Sequence, residues 1–324
     1  MSGVDRLTLL KGKIKWLQNQ TVFMLLFLVF MLFVLSRLSP HFFTIDNLRE
    51  ITVQAAVITM LAAGQTFVIL SGGIDLGMGS VVALSSVTSA MCMAQTGSAA
   101  LGFPVGLIIG AFCGIINGFM IGKLNIPPFV ATFGMMGMGR GVAYVVTGGL
   151  PQYQLAAGSD FLGQQRFLGV PIATITVLLL YIICYFILVR TKRGRYTYAI
   201  GSNKDAAFLS GINVSRQLIW IYMIAGITAG LAGITELSRV GSGQPGAGNG
   251  YELDAIASVV LGGASMSGGV GNIWGTLIGA LIIVSLRSGL NVLNVNAYWQ
   301  MVAIGVIVVS AVYADQVRNK MRKK

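Results

Sequence analysis

The chain has 324 residues, 55% of them hydrophobic and 10% charged, with 22 Lys and Arg against 10 Asp and Glu for a net charge of +12. Its mean hydropathy is +0.79. Soluble domains carry about 25% charged residues, so this composition excludes a soluble protein with a large core and implies a membrane-embedded one. The apolar runs are continuous and do not alternate, which excludes a β-barrel.

In chain order, apolar runs fall at about 22–38, 48–70, 79–95, 103–122, 129–147, 171–189, 217–236, 253–263, 272–290 and 297–314. A spanning helix needs about 20 apolar residues. The runs therefore predict an all-α, polytopic membrane helical bundle of about ten segments, organised as one transmembrane domain over 1–324. The run at 253–263 is too short to span alone and reads as a half-helix or part of a broken one. The first run follows Arg6, Lys11, Lys13 and Lys15, as a signal peptide would. It lacks a small-residue cleavage pattern, and more spans follow, so it reads as a retained first helix.

The cations place the loops. Four lie in the segment 1–20, and Lys123 lies between the fourth and fifth runs. Six lie in the loop 190–216 (Arg190, Lys192, Arg193, Arg195, Lys204 and Arg216), and five in the tail 315–324 (Arg318, Lys320, Arg322, Lys323 and Lys324). The positive-inside rule puts these segments in the cytoplasm. Six runs separate the N-terminus from the 190–216 loop and four more follow it. Both counts are even, so both termini and that loop share the cytoplasmic side, and the loops 38–47, 148–170 and 237–252 face outward. A multi-pass membrane protein is expected, with lipid and not nucleic acid as the partner of its basic charge.

Glycine is abundant, at 43 residues; in a lipid bundle small residues let helices approach and let them break where backbone lines a cavity. Two stretches share one pattern, VILSGGIDLGMGSVVALSS (68–86) and VVLGGASMSGGVGNIWGTLIGA (259–280): an apolar run, a glycine pair, a polar break and a new apolar run. Such paired interruptions point to an internal repeat and a central pathway. Ionisable residues within the apolar runs or at their ends are Asp75, Arg140, Glu236, Glu252, Asp254 and Arg287; at membrane depth such groups are costly and face the bundle or a water-filled cavity. Asp75 and Arg140 have opposite signs and no obvious neighbours, so they are expected to pair across the bundle. Acids and histidines form no chain that would serve as a proton relay.

No catalytic site, metal site or resident cofactor is expected. The chain has no GxxxxGK[ST]; Gly118 to Lys123 lacks the spacing and the hydroxyl residue, and GMGRG (137–141) is not GxGxxG. Cys92, Cys113 and Cys184 sit inside apolar runs without metal-like spacing, and His41 is the only histidine. GxxxG spacings say only that helices pack closely.

The stretch RGRYTYAIGSNKDAAFLSGINVSR (193–216) differs from its neighbours in being basic and turn-rich. Asn203 fits an N-cap and Gly211 a C′ stop, so Lys204 to Ser210 is expected to form about two helical turns. Ala206, Ala207 and Leu209 would leave part of that helix small and smooth, suited to docking in a partner's groove. A solvated basic loop that only sets topology is the competing reading.

The stretches VILSGGIDLGMGSVVAL (68–84), RGRYTYAIGSNKDAAFLSGINV (193–214) and GYELDAIASVVLGGASMSGGVGNIWGTLIGALI (250–282) resemble the membrane permease of an ATP-binding-cassette importer of the ribose/xylose/arabinose/galactoside type, a group related more distantly to branched-chain amino-acid permeases. The resemblance implies a homo- or heterodimer of permeases, two cytoplasmic ABC ATPase domains that carry ATP and Mg, and an extracytoplasmic sugar-binding protein. It implies ATPase docking at Asn203, Lys204, Asp205, Ala206, Ala207, Leu209 and Gly211, flanked by Gly194, Arg195 and Gly201. It offers Gly72, Gly73, Asp75, Gly79, Arg140, Glu252, Asp254, Gly262, Gly263, Gly268 and Gly269 as candidates for the translocation path or its gates. The implied function is import of a pentose or hexose by alternating access. Rival readings are an ion-coupled secondary transporter and a membrane scaffold without transport.

Overall fold

The computed structural model describes residues 20–40 and 42–322. The cations of the segment 1–19, His41, Lys323 and Lys324 lie outside the described residues, as do the side chains of Arg318, Lys320 and Arg322. The described chain is mostly helical. Its helices are α1 (Gln20–Leu38), α2 (Ile45–Leu70), α3 (Met78–Thr96), α4 (Ala99–Gly122), α5 (Pro128–Thr147), α6 (Ile172–Arg190), α7 (Lys192–Ser202), α8 (Lys204–Leu209), α9 (Val214–Val240), α10 (Tyr251–Leu261), α11 (Ile273–Val292) and α12 (Ala297–Arg322). A hairpin of β1 (Arg166–Phe167) and β2 (Val170–Pro171) precedes α6.

Eight helices are long and apolar enough to cross a membrane, and α12 adds a shorter apolar stretch, Ala297–Ile307. The predicted run at 253–263 is α10. Its 11 residues span roughly 16 Å, about half of a bilayer's hydrocarbon thickness. It is enclosed by α2, α11 and α12, with Glu252 and Asp254 to Val260 buried.

Helices α2 and α9 form the centre. From Ala55 to Leu70, α2 is buried on every side, and α9 packs along α2, α3 and α4. The closest pairing is α4 on α9, and the sequence of α4 explains it. Glycines recur every fourth residue, at 102, 106, 110, 114, 118 and 122, which places them in one row along the helix. A Cβ on Gly110 or Gly114 would collide with the backbone of Gly226 or Tyr222, and one on Gly118 would lie 2.5 Å from the Ile219 Cα. Without a hydrophobic driving force between helices in lipid, such close backbone approach supplies the packing.

The two glycine breaks share a local geometry. After α2, Gly72 takes φ +82°; its N–H donates to the Ile69 carbonyl at 2.9 Å and the Gly73 N–H to Val68 at 3.0 Å. After α10, Gly263 takes φ +95°; its N–H donates to Val260 at 2.9 Å and the Ala264 N–H to Val259 at 3.1 Å. Both are Schellman stops, which need a residue without a Cβ at the left-handed position. The repeat seen in sequence is thus a repeat of structure at these two points.

Candidate functional site

The stretch 192–216 folds into two short helices, not one. Asn203 caps α8 as expected, its side chain accepting from the Ala206 N–H at 2.9 Å. Gly211 ends it at φ +82°, its N–H bonded to Phe208 and the Ile212 N–H to Ala207. The segment before it is a helix as well, α7, capped by Thr191, whose hydroxyl accepts from the Gly194 N–H at 3.2 Å. That corrects the reading of 190–203 as loop. On α8, Ala207 turns into the protein, while Phe208 and Leu209 are 68% and 84% exposed. Phe208, which the sequence reading passed over between Ala207 and Leu209, joins Leu209 in the exposed apolar face of the helix. A cleft of about 460 Å³ runs beside α8 between Asp205, Phe208, Asn213 and the end of α4.

Because α8 has six residues, its cap matters. Asn203→Ala is expected to cost about 1 kcal/mol, read as faster hydrogen exchange at the Ala206 and Ala207 amides with the rest of the bundle unchanged.

The breaks meet each other and α7. The Gly269 N–H donates to the Leu70 carbonyl at 2.9 Å, tying the second break to the end of α2. Gly201, one residue before the end of α7, lies against that same junction. Above it, Asp75 is 3% exposed. Its Oδ1 accepts from the Gly77 N–H at 2.8 Å, and the Asn117 side chain of α4 lies near it. The Thr132 hydroxyl of α5 accepts from the Leu76 N–H at 3.1 Å and donates to the Ile74 carbonyl at 3.2 Å. A cavity of about 250 Å³ lies below, lined by Gly72, Gly73, Asn125, Ile200, Lys204 and Tyr222.

A second polar region sits at the far end of α9. The segment 241–250 does not stay at the surface: Ser242, Gly243, Pro245 and Gly248 are buried. The Arg140 Nη1 donates to the Pro245 carbonyl at 2.8 Å and to the Ala247 carbonyl. Gly248 and Glu252 pack against Gly79, where a Cβ would strike both. Glu252 acts electrostatically on Arg140. The expected Asp75–Arg140 pair is not formed. The turn beside Asp75 is bonded to Thr132, eight residues before Arg140, which is roughly 12 Å away along α5.

Asp254 pairs instead with Arg287 of α11, whose Nη2 lies 2.8 Å and 3.0 Å from the two carboxylate oxygens. One turn apart on α9, Glu236 and Arg239 form a two-point pair at 2.9 and 3.0 Å. The Tyr251 hydroxyl donates to Glu236 at 3.4 Å, and Arg239 reaches Glu50 of α2 at 3.9 Å. Glu236, Arg239, Tyr251, Asp254, Arg287 and Gln54 line a cavity of about 210 Å³.

The predicted residues therefore separate into groups. Gly72, Gly201, Gly268 and Gly269 converge at one end. Gly79, Arg140 and Glu252 converge further along, and Asp75 sits apart with Asn117. Gly262 serves close packing on Gly275 of α11, and Asp254 joins the outer ion pairs. Asn117 and Tyr222 were missed in the sequence; Asn117 is the single strongly polar residue on the apolar α4, which is the signal that marks it.

A bundle of apolar spans interrupted by glycine breaks, with an enclosed half-helix and buried charged groups, is the build of a polytopic transport protein. The family model described as Branched-chain amino acid transport system / permease component matches residues 47–311, and the chain belongs to that family. It is similar to the ribose import permease of Escherichia coli (strain K12), with 42% identity over 304 residues, 93% of this chain and 94% of the relative. The ribose import permease of Bacillus subtilis (strain 168) is 43% identical over 294 residues, 90% and 91% of the two chains. The D-allose transport system permease protein of Escherichia coli (strain K12) is 35% identical over 307 residues, 94% and 93%. No solved structure matches the chain.

Proposed function

We propose that the chain is the membrane permease of an ATP-driven, binding-protein-dependent importer that moves a monosaccharide across the bacterial inner membrane by alternating access. The observation that carries this reading is α8: a capped, two-turn helix held on the outside of the bundle with Phe208 and Leu209 exposed, one residue from a helix that touches both glycine breaks. Two ABC ATPase domains dock there, on the cytoplasmic side, and hydrolyse ATP with Mg. A second permease subunit completes the membrane part. A sugar-binding protein delivers substrate at the opposite face, the side of the Glu236–Arg239–Asp254–Arg287 cluster. Both termini lie in the cytoplasm. The relatives named for ribose and D-allose support a monosaccharide as the cargo. The permease contributes release and passage; ATP binding biases it between two states through its partner's differential affinity for them.

The test is uptake of radiolabelled ribose and allose by proteoliposomes holding the chain with its ATPase and binding protein. Uptake that stops on ATP depletion and ignores a protonophore is the expected result. Uptake that survives ATP depletion and collapses with the ion gradient would replace this reading by a secondary transporter.

A further inference from the structure

We infer that Gly201 and Ser202 form a backbone coupling point through which movement of α8 reaches both glycine breaks at once. The inference rests on the reading of α8 as the ATPase-docking helix.

Three contacts place it. A Cβ on Gly201 would overlap the Leu70 carbonyl oxygen and lie 2.6 Å from the Gly269 nitrogen, the two atoms of the hydrogen bond that joins the breaks. A Cβ on Gly268 would lie 2.7 Å from the Gly201 oxygen and 3.0 Å from the Gly72 Cα. A Cβ on Gly269 would strike the Ser202 hydroxyl and lie 3.0 Å from the Ser202 Cα. Backbone of α7, of the first break and of the second therefore touch without intervening side chains. Glycine is needed here for close approach, not for flexibility of α7.

The connection to α8 has no slack. Asn203 is the only residue between α7 and α8. Its N–H donates to the Ala199 carbonyl at 3.1 Å, ending α7, while its side chain caps α8. The other end of α7 is pinned to α9. The Gln217 amide donates to the Arg193 carbonyl at 2.9 Å and to Thr197 at 3.2 Å, and its oxygen accepts from the Arg193 guanidinium at 3.0 Å. Arg193 also stacks over Trp220. An 11-residue helix fixed at its start and pushed at its end acts as a lever roughly 16 Å long. Its tip bears on the breaks, and the Tyr198 hydroxyl holds the second break separately, donating to the Gly271 carbonyl at 2.9 Å. The breaks can respond. Gly72, Gly263, Gly268 and Gly269 all hold positive φ, and the cavity of about 250 Å³ under Gly72 and Gly73 leaves room to move.

The test uses the full complex with its ATPase, in a chain whose Cys92, Cys113 and Cys184 are replaced by alanine. Single cysteines are placed at Ser71→Cys or Ser267→Cys, one in each break, and labelled with N-ethylmaleimide before and after trapping with ATP and vanadate. Trapping is expected to change both labelling rates about tenfold, a usual size for coupling between sites. Gly201→Ala should flatten both changes when compared with the parent at equal amounts of bound ATPase, which separates lost coupling from lost docking. Tyr198→Phe, a milder change, should flatten the change at Ser267→Cys more than that at Ser71→Cys, and it decides the matter if Gly201→Ala fails to insert. A Gly201→Ala complex that keeps both changes, a Tyr198→Phe complex that keeps the change at Ser267→Cys, or a parent in which only one break responds would overturn the inference. A parent chain that binds no ATPase would sink the importer reading itself.

Discussion

Gly114→Leu is expected to cost about 3 kcal/mol of stability, enough to leave little of the chain monodisperse in mild detergent at 37 °C. Position 114 lies within the close α4–α9 contact, where a Cβ already collides with the Tyr222 carbonyl and lies 2.9 Å from the Met223 Cα. The atoms in the way are backbone, which no rotamer change can move, so α4 must separate from α9. Separation also withdraws contact from Gly110 and Gly118, one turn to either side. The control is Gly305→Ala on α12, where the added methyl meets nothing; there the exchange should be neutral or stabilise by up to about 1 kcal/mol through helix propensity. Thermal unfolding of the two variants beside the parent reads both effects. Equal midpoints for Gly114→Leu and the parent would show that α4 and α9 do not pack as described.

The Asp254–Arg287 pair carries the second large effect. Asp254 is 1% exposed in the first turn of the enclosed half-helix α10, and Arg287 is its only ion-pair partner among the described residues. Arg287→Ala leaves a buried carboxylate unpaired, and removing one partner of a buried pair costs about 3 kcal/mol. Replacing both groups by apolar residues of similar size, Asp254→Leu with Arg287→Met, removes the uncompensated charge along with the attraction. That double variant should recover most of the loss. Unfolding midpoints of the two single variants and the double form the cycle that measures the coupling. Strict additivity would contradict the pairing.

Much of this architecture is legible in the sequence, because lipid leaves few alternatives. The apolar runs become helices since no other open segment can satisfy its backbone in hydrocarbon. The length of the run at 253–263 marked it as less than a full span. Asn203 and Gly211 were legible because capping is local chemistry, set within a few residues. What was missed depends on contacts between distant segments. The sequence KRGRYTYAIGS carries two glycines and a threonine, all poor helix formers. It becomes α7 because Gly194 seats against the carbonyls of Ile187 and Leu188 and Gly201 against the Leu70 carbonyl and the Gly269 nitrogen. The Asp75–Arg140 pairing failed for a similar reason. Opposite sign says that two groups could attract, but depth along each helix decides whether they meet, and no local pattern encodes it. The convergence of Gly72, Gly201 and Gly268 was equally hidden, although each glycine had been singled out on its own.

The central claim, that this permease works by docking a partner ATPase at α8, is tested most directly by a gentle detergent pull-down of the tagged chain from native membranes beside the variant Leu209→Asp. Recovery of an ATP-binding-cassette ATPase in about equal amount with the parent, and its loss with a Leu209→Asp chain that still inserts, is the expected result. Recovery of the parent chain alone, with uptake that survives ATP depletion, would contradict it.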